Sequence, residues 1–496
     1  MRYRILAVAA AAVVVGVASA DFVLFITGES NGRIAYVMFE GQVDTKNSAE
    51  FLTVRHKKYG DVILPRSDCK WFKAEDPRKK QAASLKAAAK KEDVDQLWKL
   101  AKDAIRHGSP GNYFKAAEII GTLDPDHKEA ARARRLAAII DTEIPESDEE
   151  IVKMKKDAKI ESKLKAERTQ HYLLMHNIQP RKTLAGKKAT PIEDRIEVME
   201  KVYRAYLAFF WSRGVELEPP KERLRVVLLN TEQEFKEYAA SVDPAAVMSS
   251  GFFKLKDNVS YFYEHRNTSF FKSTTAINRK LKDYGKNNMI ANRGDLVRLG
   301  KAYDVSDEVD CDQSDIKVCT HEMTHQLAGN TKLMPTNRLF PHWAAEGFAC
   351  YFESPRDVQW SGIGAVNEER LQFYRAALKK RRESCTIEYV VSDKIFKEAK
   401  TFGDMLIAYS VSWALTHYLM EKHFDRLIAY YQKIAKLPPF EEPLKPEESL
   451  KIFYSCFTGE QKGTLDAQWH TYMQGLRTDL EVFLDRSILR DDGVGD

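Results

Sequence analysis

The chain has 496 residues, 44% of them hydrophobic and 30% charged, with a formal net charge of +5. That is enough apolar material for more than one core, which excludes a disordered chain and makes two or three domains the expectation. A charge so close to balance names no partner, and basic runs such as RKKQAASLKAAAKK alternate with alanine at helical spacing, as solvated helix faces do; a nucleic-acid groove is not expected.

The first twenty residues place Arg2 and Arg4 before an apolar run from Ile5 to Val17 and the small residues Ala18-Ser19-Ala20. This predicts a secretory signal, residues 1–20, cleaved after Ala20. The run is shorter than the ~20 residues a spanning helix needs. The mature protein is therefore expected to be exported, periplasmic or extracellular, without an integral membrane span, and to carry 75 basic against 72 acidic residues once Arg2 and Arg4 are gone. The six cysteines form no CxxC pair, which disfavours a cysteine-built zinc knuckle and permits disulfides of no fixed connectivity.

Residues 21–76 hold five short apolar runs separated by turn residues: DFVLFIT, IAYVMFEG, EFLTVRH, DVILP and CKWFK. These predict a small antiparallel β domain, barrel-like or an open sheet. Residues 77–140 change to helices rich in Ala, Lys and Leu, with turns at Gly108 to Gly111 and at LDPDH. They resemble one tetratricopeptide-like unit, and a generic helical hairpin fits them as well. Both segments are candidate surfaces for a protein partner. Residues 141–168 are mostly charged and predict a connector or a solvated helix.

A last domain, residues 169–490, opens as a mixed section: HYLLMHN as a strand, PIEDRIEVMEKVYRAYLAFFWSRG as a helix, RLRVVLLN as a buried strand, TEQEFKEYAAS as a helix, and GFFKLKDNVSYFYEH as a hairpin turning at Lys256-Asp257-Asn258. NVSYFY fits either an edge strand that receives an extended peptide or an interior strand. Beyond residue 341 the pattern is nearly all helical, and the whole chain is expected to be a multidomain α+β protein.

The chemistry concentrates at VCTHEMTHQLAGN, residues 318–330. If residues 316–328 are helical, His321 and His325 lie about 40° apart on one face, opposite Ile316, Cys319, Met323 and Leu327. Histidines that avoid the apolar stripe are not core residues, but a zinc site needs a third protein ligand. Glu346, in FPHWAAEGFACYFESP, supplies one: Gly329-Asn330 ends the first helix, Pro341 starts a second, and the chain between is long enough for the two to run side by side. Apolar flanks make a solvated Glu346 implausible, and Gly347 predicts a close helix approach.

HEMTH followed by WAAEGFACYFE resembles the gluzincin metallopeptidases, within the peptidase-MA-like group that carries HExxH and WxxEGxAxY signatures. The likeness extends over about residues 165–485, and the chain resembles exported bacterial members in which a small β domain and a helical hairpin can precede the peptidase-like domain. It implies a zincin-like domain with a mostly helical C-terminal half, Zn²⁺ held by His321, His325 and Glu346, and hydrolysis of a peptide or protein substrate by a metal-activated water with Glu322 as general base. It also implies an oxyanion-stabilising side chain, for which Tyr409 is the first candidate and His417 the second. His342 is a candidate partner of the ligands. The carboxylate expected four positions after Glu346 is replaced by Cys350, which leaves the orientation of the histidines unexplained. The competing expectation is a non-catalytic envelope or interaction scaffold that keeps the zinc helices as a structural core.

Overall fold

A computed structural model describes residues 20–482 apart from 31–32, 45–48, 75–76, 159–163, 185, 187, 243–245, 248, 287–292, 440–443 and 459–462. The expected signal segment, except Ala20, lies outside the described residues. The architecture is mixed α and β, and no described helix is long and apolar enough to cross a membrane.

The five predicted N-terminal strands are β1 (Ala20–Ser30), β2 (Arg33–Asp44), β3 (Phe51–His56), β4 (Gly60–Pro65) and β5 (Cys69–Ala74). They form one antiparallel sheet in the order β4-β3-β2-β1-β5. The expected barrel-like closure is not made: β4 and β5 are its two edges, with no pairing between them among the described residues. Alternation along β1 explains why both faces are covered. Val23 and Phe25 point to one cluster, while Phe22 and Leu24 join Phe72 in another.

The segment expected to be a hairpin is four helices: α1 (Pro77–Lys90), α2 (Val94–Arg106), α3 (Pro110–Leu123) and α4 (Lys128–Ile140). The breaks at Gly108 and at Asp124 to His127 fall where expected, and one extra turn, at Lys91 to Asp93, divides what composition alone reads as continuous helix. The charged connector contains α5 (Asp148–Ala158), whose Met154 is fully buried, and β6 (Lys165–Arg168).

There follow β7 (Tyr172–His176), α6 (Pro191–Trp211), β8 (Leu224–Leu229), α7 (Glu232–Val242), β9 (Gly251–Lys254) and β10 (Val259–Tyr263). The second sheet has the order β6-β7-β8-β10-β9, with β7, β8 and β10 parallel and both edges antiparallel. NVSYFY is thus an interior strand, and the edge is β9, because the chain reverses at Asn258 (φ 54°) after a short β9. Residues on one face of this sheet, Leu174, Val226, Leu228 and Phe262, share the main core, while Met175, Val227, Leu229 and Tyr261 pack with Met154 and Phe235.

Next come α8 (Ser269–Lys286) and α9 (Arg293–Asn330), a helix of 38 residues. Ala302, Val305 and Val309 on α9 complete the core of the N-terminal sheet. Further along, Cys319, Met323 and Leu327 enter the main core together with residues of α2, α3, α4 and α6. One helix therefore runs from the N-terminal sheet to the histidines. The rest is α10 (His342–Cys350), the ribbon β11 (Pro355–Arg356) and β12 (Gln359–Trp360), α11 (Glu368–Lys380), α12 (Ile387–Val391), α13 (Lys394–Lys397), α14 (Phe402–Lys422), α15 (Phe424–Ala435), α16 (Pro446–Tyr454) and α17 (Thr464–Gly475). All six cysteines are free thiols.

Candidate metal centre

Helix α9 ends where expected, with Lys332 in the left-handed region (φ 62°) just beyond Asn330. Its last turns are tied to the second sheet: the Gln326 side-chain amide donates to the carbonyls of Arg225 and Asn258. Helix α10 starts after Pro341, its first N–H groups satisfied by Asp393, which accepts from His342 and Trp343 at 2.8 and 2.9 Å. Gly347 faces α14, and a Cβ there would sit 2.5 Å from the Ser412 carbonyl oxygen. The close approach expected of this glycine is its contact with α14.

These elements bring three donor atoms together. His321 Nε2 lies 3.0 Å from Glu346 Oε2 and 3.1 Å from His325 Nε2, and His325 Nε2 lies 3.5 Å from the same carboxylate oxygen. Tetrahedral zinc with bonds of about 2.0–2.1 Å sets its ligand atoms about 3.3 Å apart, so the triangle has the size the ion requires. The three side chains are 12–19% exposed, enclosed yet reachable from solvent.

The hydrogen bonds also fit a cation. His321 Nδ1 faces Glu353 Oε2 at 2.9 Å and donates its proton there, so the Nε2 of a neutral His321 presents a lone pair to Glu346. Carboxylate and imidazole lone pairs converge on a point that a cation satisfies. Burial pushes His321 down, but its contacts with Cys350, Glu346 and Glu353 outweigh it and hold the ring well above the usual histidine range. Burial likewise raises Glu346, and the neighbouring histidines reverse this and hold it well below the carboxylate range.

Glu353 is the residue the sequence reading missed. It lies seven positions after Glu346, two turns along, and the final turn tightens so that Phe352 and Glu353 donate to the carbonyls of Ala349 and Cys350. The signal was present in a glutamate at i+7 from Glu346, a spacing that a helix continued past Cys350 would place on one face. Arg370 Nε and Asn367 Nδ2 donate to its other oxygen at 2.9 and 3.0 Å. His321, Cys350 and Glu353 form a second group of clustered donors. Arg370 already supplies the cation there, which leaves the Nε2 side as the better place for a metal.

Glu322 is buried at 6% exposure beside the edge strand, where a Cβ on Gly251 would meet its Cγ at 3.1 Å. Burial raises its carboxyl above the usual range, against the pull of His321 and His325. The Tyr409 ring lies 6.3 Å from the His321 ring, and the Glu346 charge, with burial, pushes its hydroxyl well above the ordinary value. The other two candidates are used elsewhere. His417 accepts from Tyr472 at Nδ1 and donates to the Gly364 carbonyl, and burial lowers it to about 4. His342, with its side chain 60% exposed, bonds Asp393 through Nδ1.

Behind the site lies a buried ion network. Arg266 pairs with Glu264, Glu308, Asp312 and Asp315, and Arg195 pairs with Asp315. Lys58 and Tyr59, from the β3–β4 turn, bond Asp312. Three of these acids, Glu308, Asp312 and Asp315, line one side of α9 just before His321.

A family profile described as a protein of unknown function (DUF1570) matches residues 315–441. The segment contains His321, Glu322, His325, Glu346, Glu353, Arg370 and Tyr409, and its description assigns no activity. No curated protein and no solved structure matches the chain.

Proposed function

We propose that the protein is an exported zinc-dependent peptidase of the gluzincin type, built on a zincin-like domain. The observation that carries this reading is the triangle of His321 Nε2, His325 Nε2 and Glu346 Oε2, to which α9 gives two corners and α10 the third. The donor set of two imidazoles and one carboxylate suits zinc and leaves a fourth position for water or substrate.

Zinc bound there supplies Lewis acidity to the attacking water and to the substrate carbonyl. The rest of the work belongs to side chains. Glu322, directly after His321 and made a stronger base by burial, takes the proton from the water and passes it to the departing amine. Tyr409 donates from its hydroxyl to the oxygen on which negative charge develops. The substrate backbone adds to the outer edge of β9, which has no strand partner among the described residues and runs past Glu322 at Gly251. The proposed substrate is an extended peptide or a locally unfolded protein.

The test is cleavage of casein and of a mixed peptide library by the protein and by Glu322→Gln. Loss of activity by at least about 100-fold, with zinc content and folding retained, supports the peptidase. Equal behaviour of the two proteins in every assay supports a scaffold that keeps the zinc helices for structure.

A further inference from the structure

Arg370 is 6% exposed, and it touches both arms of the site. Its Nε donates to Glu353 Oε1 at 2.9 Å, and the other oxygen of that carboxylate takes the proton of His321 Nδ1. Its Cζ stands 5.3 Å from the centre of the Tyr409 ring, which in turn lies 6.3 Å from the ring of His321. Among the described residues Nη1 has no hydrogen-bond partner. Glu353 and the face of the Tyr409 ring thus both lie against this buried cation.

A guanidinium is planar, so it can present an N–H edge to a carboxylate while its π-face or rim rests on an aromatic ring. A lysine ammonium, a point charge on a flexible stem, cannot hold both contacts in one geometry. Asn367 offers an internal comparison: it donates to the same oxygen of Glu353, and no hydrogen bond joins it to Tyr409 among the described residues.

We propose that Arg370 is a positioning residue for two functional groups at once, fixing His321 through Glu353 and fixing Tyr409 through its ring. The inference rests on the zinc peptidase reading and adds a coupling between the ligand set and the oxyanion donor. Helix α11 is what carries it. The N–H of Arg370 is capped by Asn367 Oδ1 at 3.1 Å, and α11 packs along α14, which bears Tyr409.

The experiment compares the full chain with Arg370→Met, Arg370→Lys, Asn367→Ser, Tyr409→Phe and the double variant Arg370→Met/Tyr409→Phe. Serine keeps the helix cap while removing the donor to Glu353. Two quantities are read without any substrate: zinc affinity by chelator competition, and the affinity of the zinc-loaded protein for acetohydroxamate, whose oxygens occupy the carbonyl and water positions. Arg370→Met is expected to lower zinc affinity about 10–100-fold. It should also weaken acetohydroxamate about tenfold, as much as Tyr409→Phe does. In acetohydroxamate binding the double variant should be no weaker than either single one, which marks the two residues as one unit. Asn367→Ser is expected to lower zinc affinity alone, and Arg370→Lys to recover zinc affinity in part but not acetohydroxamate binding.

Additive losses in the double variant, or an Arg370→Met protein that changes zinc affinity alone, overturn the coupling. Should Arg370→Met fail to fold, Arg370→Lys with the same acetohydroxamate loss as Tyr409→Phe still supports it, and Arg370→Lys with unchanged acetohydroxamate binding overturns it. A native protein that binds no zinc overturns the peptidase reading itself, whereas zinc binding with an indifferent Arg370 overturns this inference only.

Discussion

Glu353 accepts the Nδ1 proton of His321 at 2.9 Å and thereby turns the Nε2 lone pair of that ring toward Glu346. Carboxylates behind metal-binding histidines set both tautomer and orientation. Glu353→Ala is therefore expected to cut zinc affinity about 10–100-fold, measured by competition with a chromophoric chelator. Glu353→Gln, which can still accept from Nδ1, should lose less.

Gly347 sets the distance between α10 and α14. The Cβ of Gly347→Ala would fall 2.5 Å from the Ser412 carbonyl oxygen and also against the Thr416 hydroxyl. Backbone cannot give way as a side-chain tip can, so a loss of about 1–3 kcal/mol is expected in denaturant unfolding. A stability equal to that of the native protein would show that α10 shifts freely, and Glu346 with it.

The loop after Glu353 is held by the N-terminal sheet. His56 accepts the backbone N–H groups of Lys58 and Tyr59 at Nδ1 and donates from Nε2 to Asp357, whose side chain is 2% exposed. Arg356 in the same loop pairs with Glu40. Removing the imidazole strands a buried carboxylate, so His56→Ala should lose about 2–3 kcal/mol of stability. It should also retain zinc less well, because the loop begins one residue beyond Glu353. Zinc retention unchanged in a destabilised variant would separate the clamp from the metal centre.

His417 gives a pH dependence with a definite sign. Its folded value of about 4 lies below the ordinary 6.5 because burial disfavours the charged ring. Between these values the unfolded chain takes up a proton that the native protein refuses, so the contribution is complete above pH 6.5 and is lost as pH falls toward 4. The loss is on the order of 3 kcal/mol. Unfolding free energies at pH 7 and pH 4.5 should differ more for the native protein than for His417→Gln.

Much of this was legible in the sequence, for reasons that particular residues make plain. His321 and His325 could be paired because helical spacing is rigid, and Glu346 could be added because Asn330 and Pro341 mark helix ends. The five strands of the first sheet could be read from alternation, but its openness could not, since closure depends on pairing between β4 and β5 rather than on either strand's own pattern. Helix α9 was expected only from residue 316, because its apolar positions change partners along its length: Val305 and Val309 face the N-terminal sheet, Met323 and Leu327 the main core. Glu308, Asp312 and Asp315 resemble a solvated acidic face and are buried only because Arg195, Arg266 and Lys58 arrive from other elements. Glu353 was hidden by the expectation of a carboxylate at the position of Cys350.

The most direct test of the account is the metal content of the purified chain, beside His325→Ala, by elemental analysis without prior exposure to chelator. The account predicts about one zinc per chain in the native protein and little in the variant, which loses one of three ligands. A folded native protein with no zinc, or a variant that retains it in full, would contradict the metal centre and with it the proposed hydrolysis.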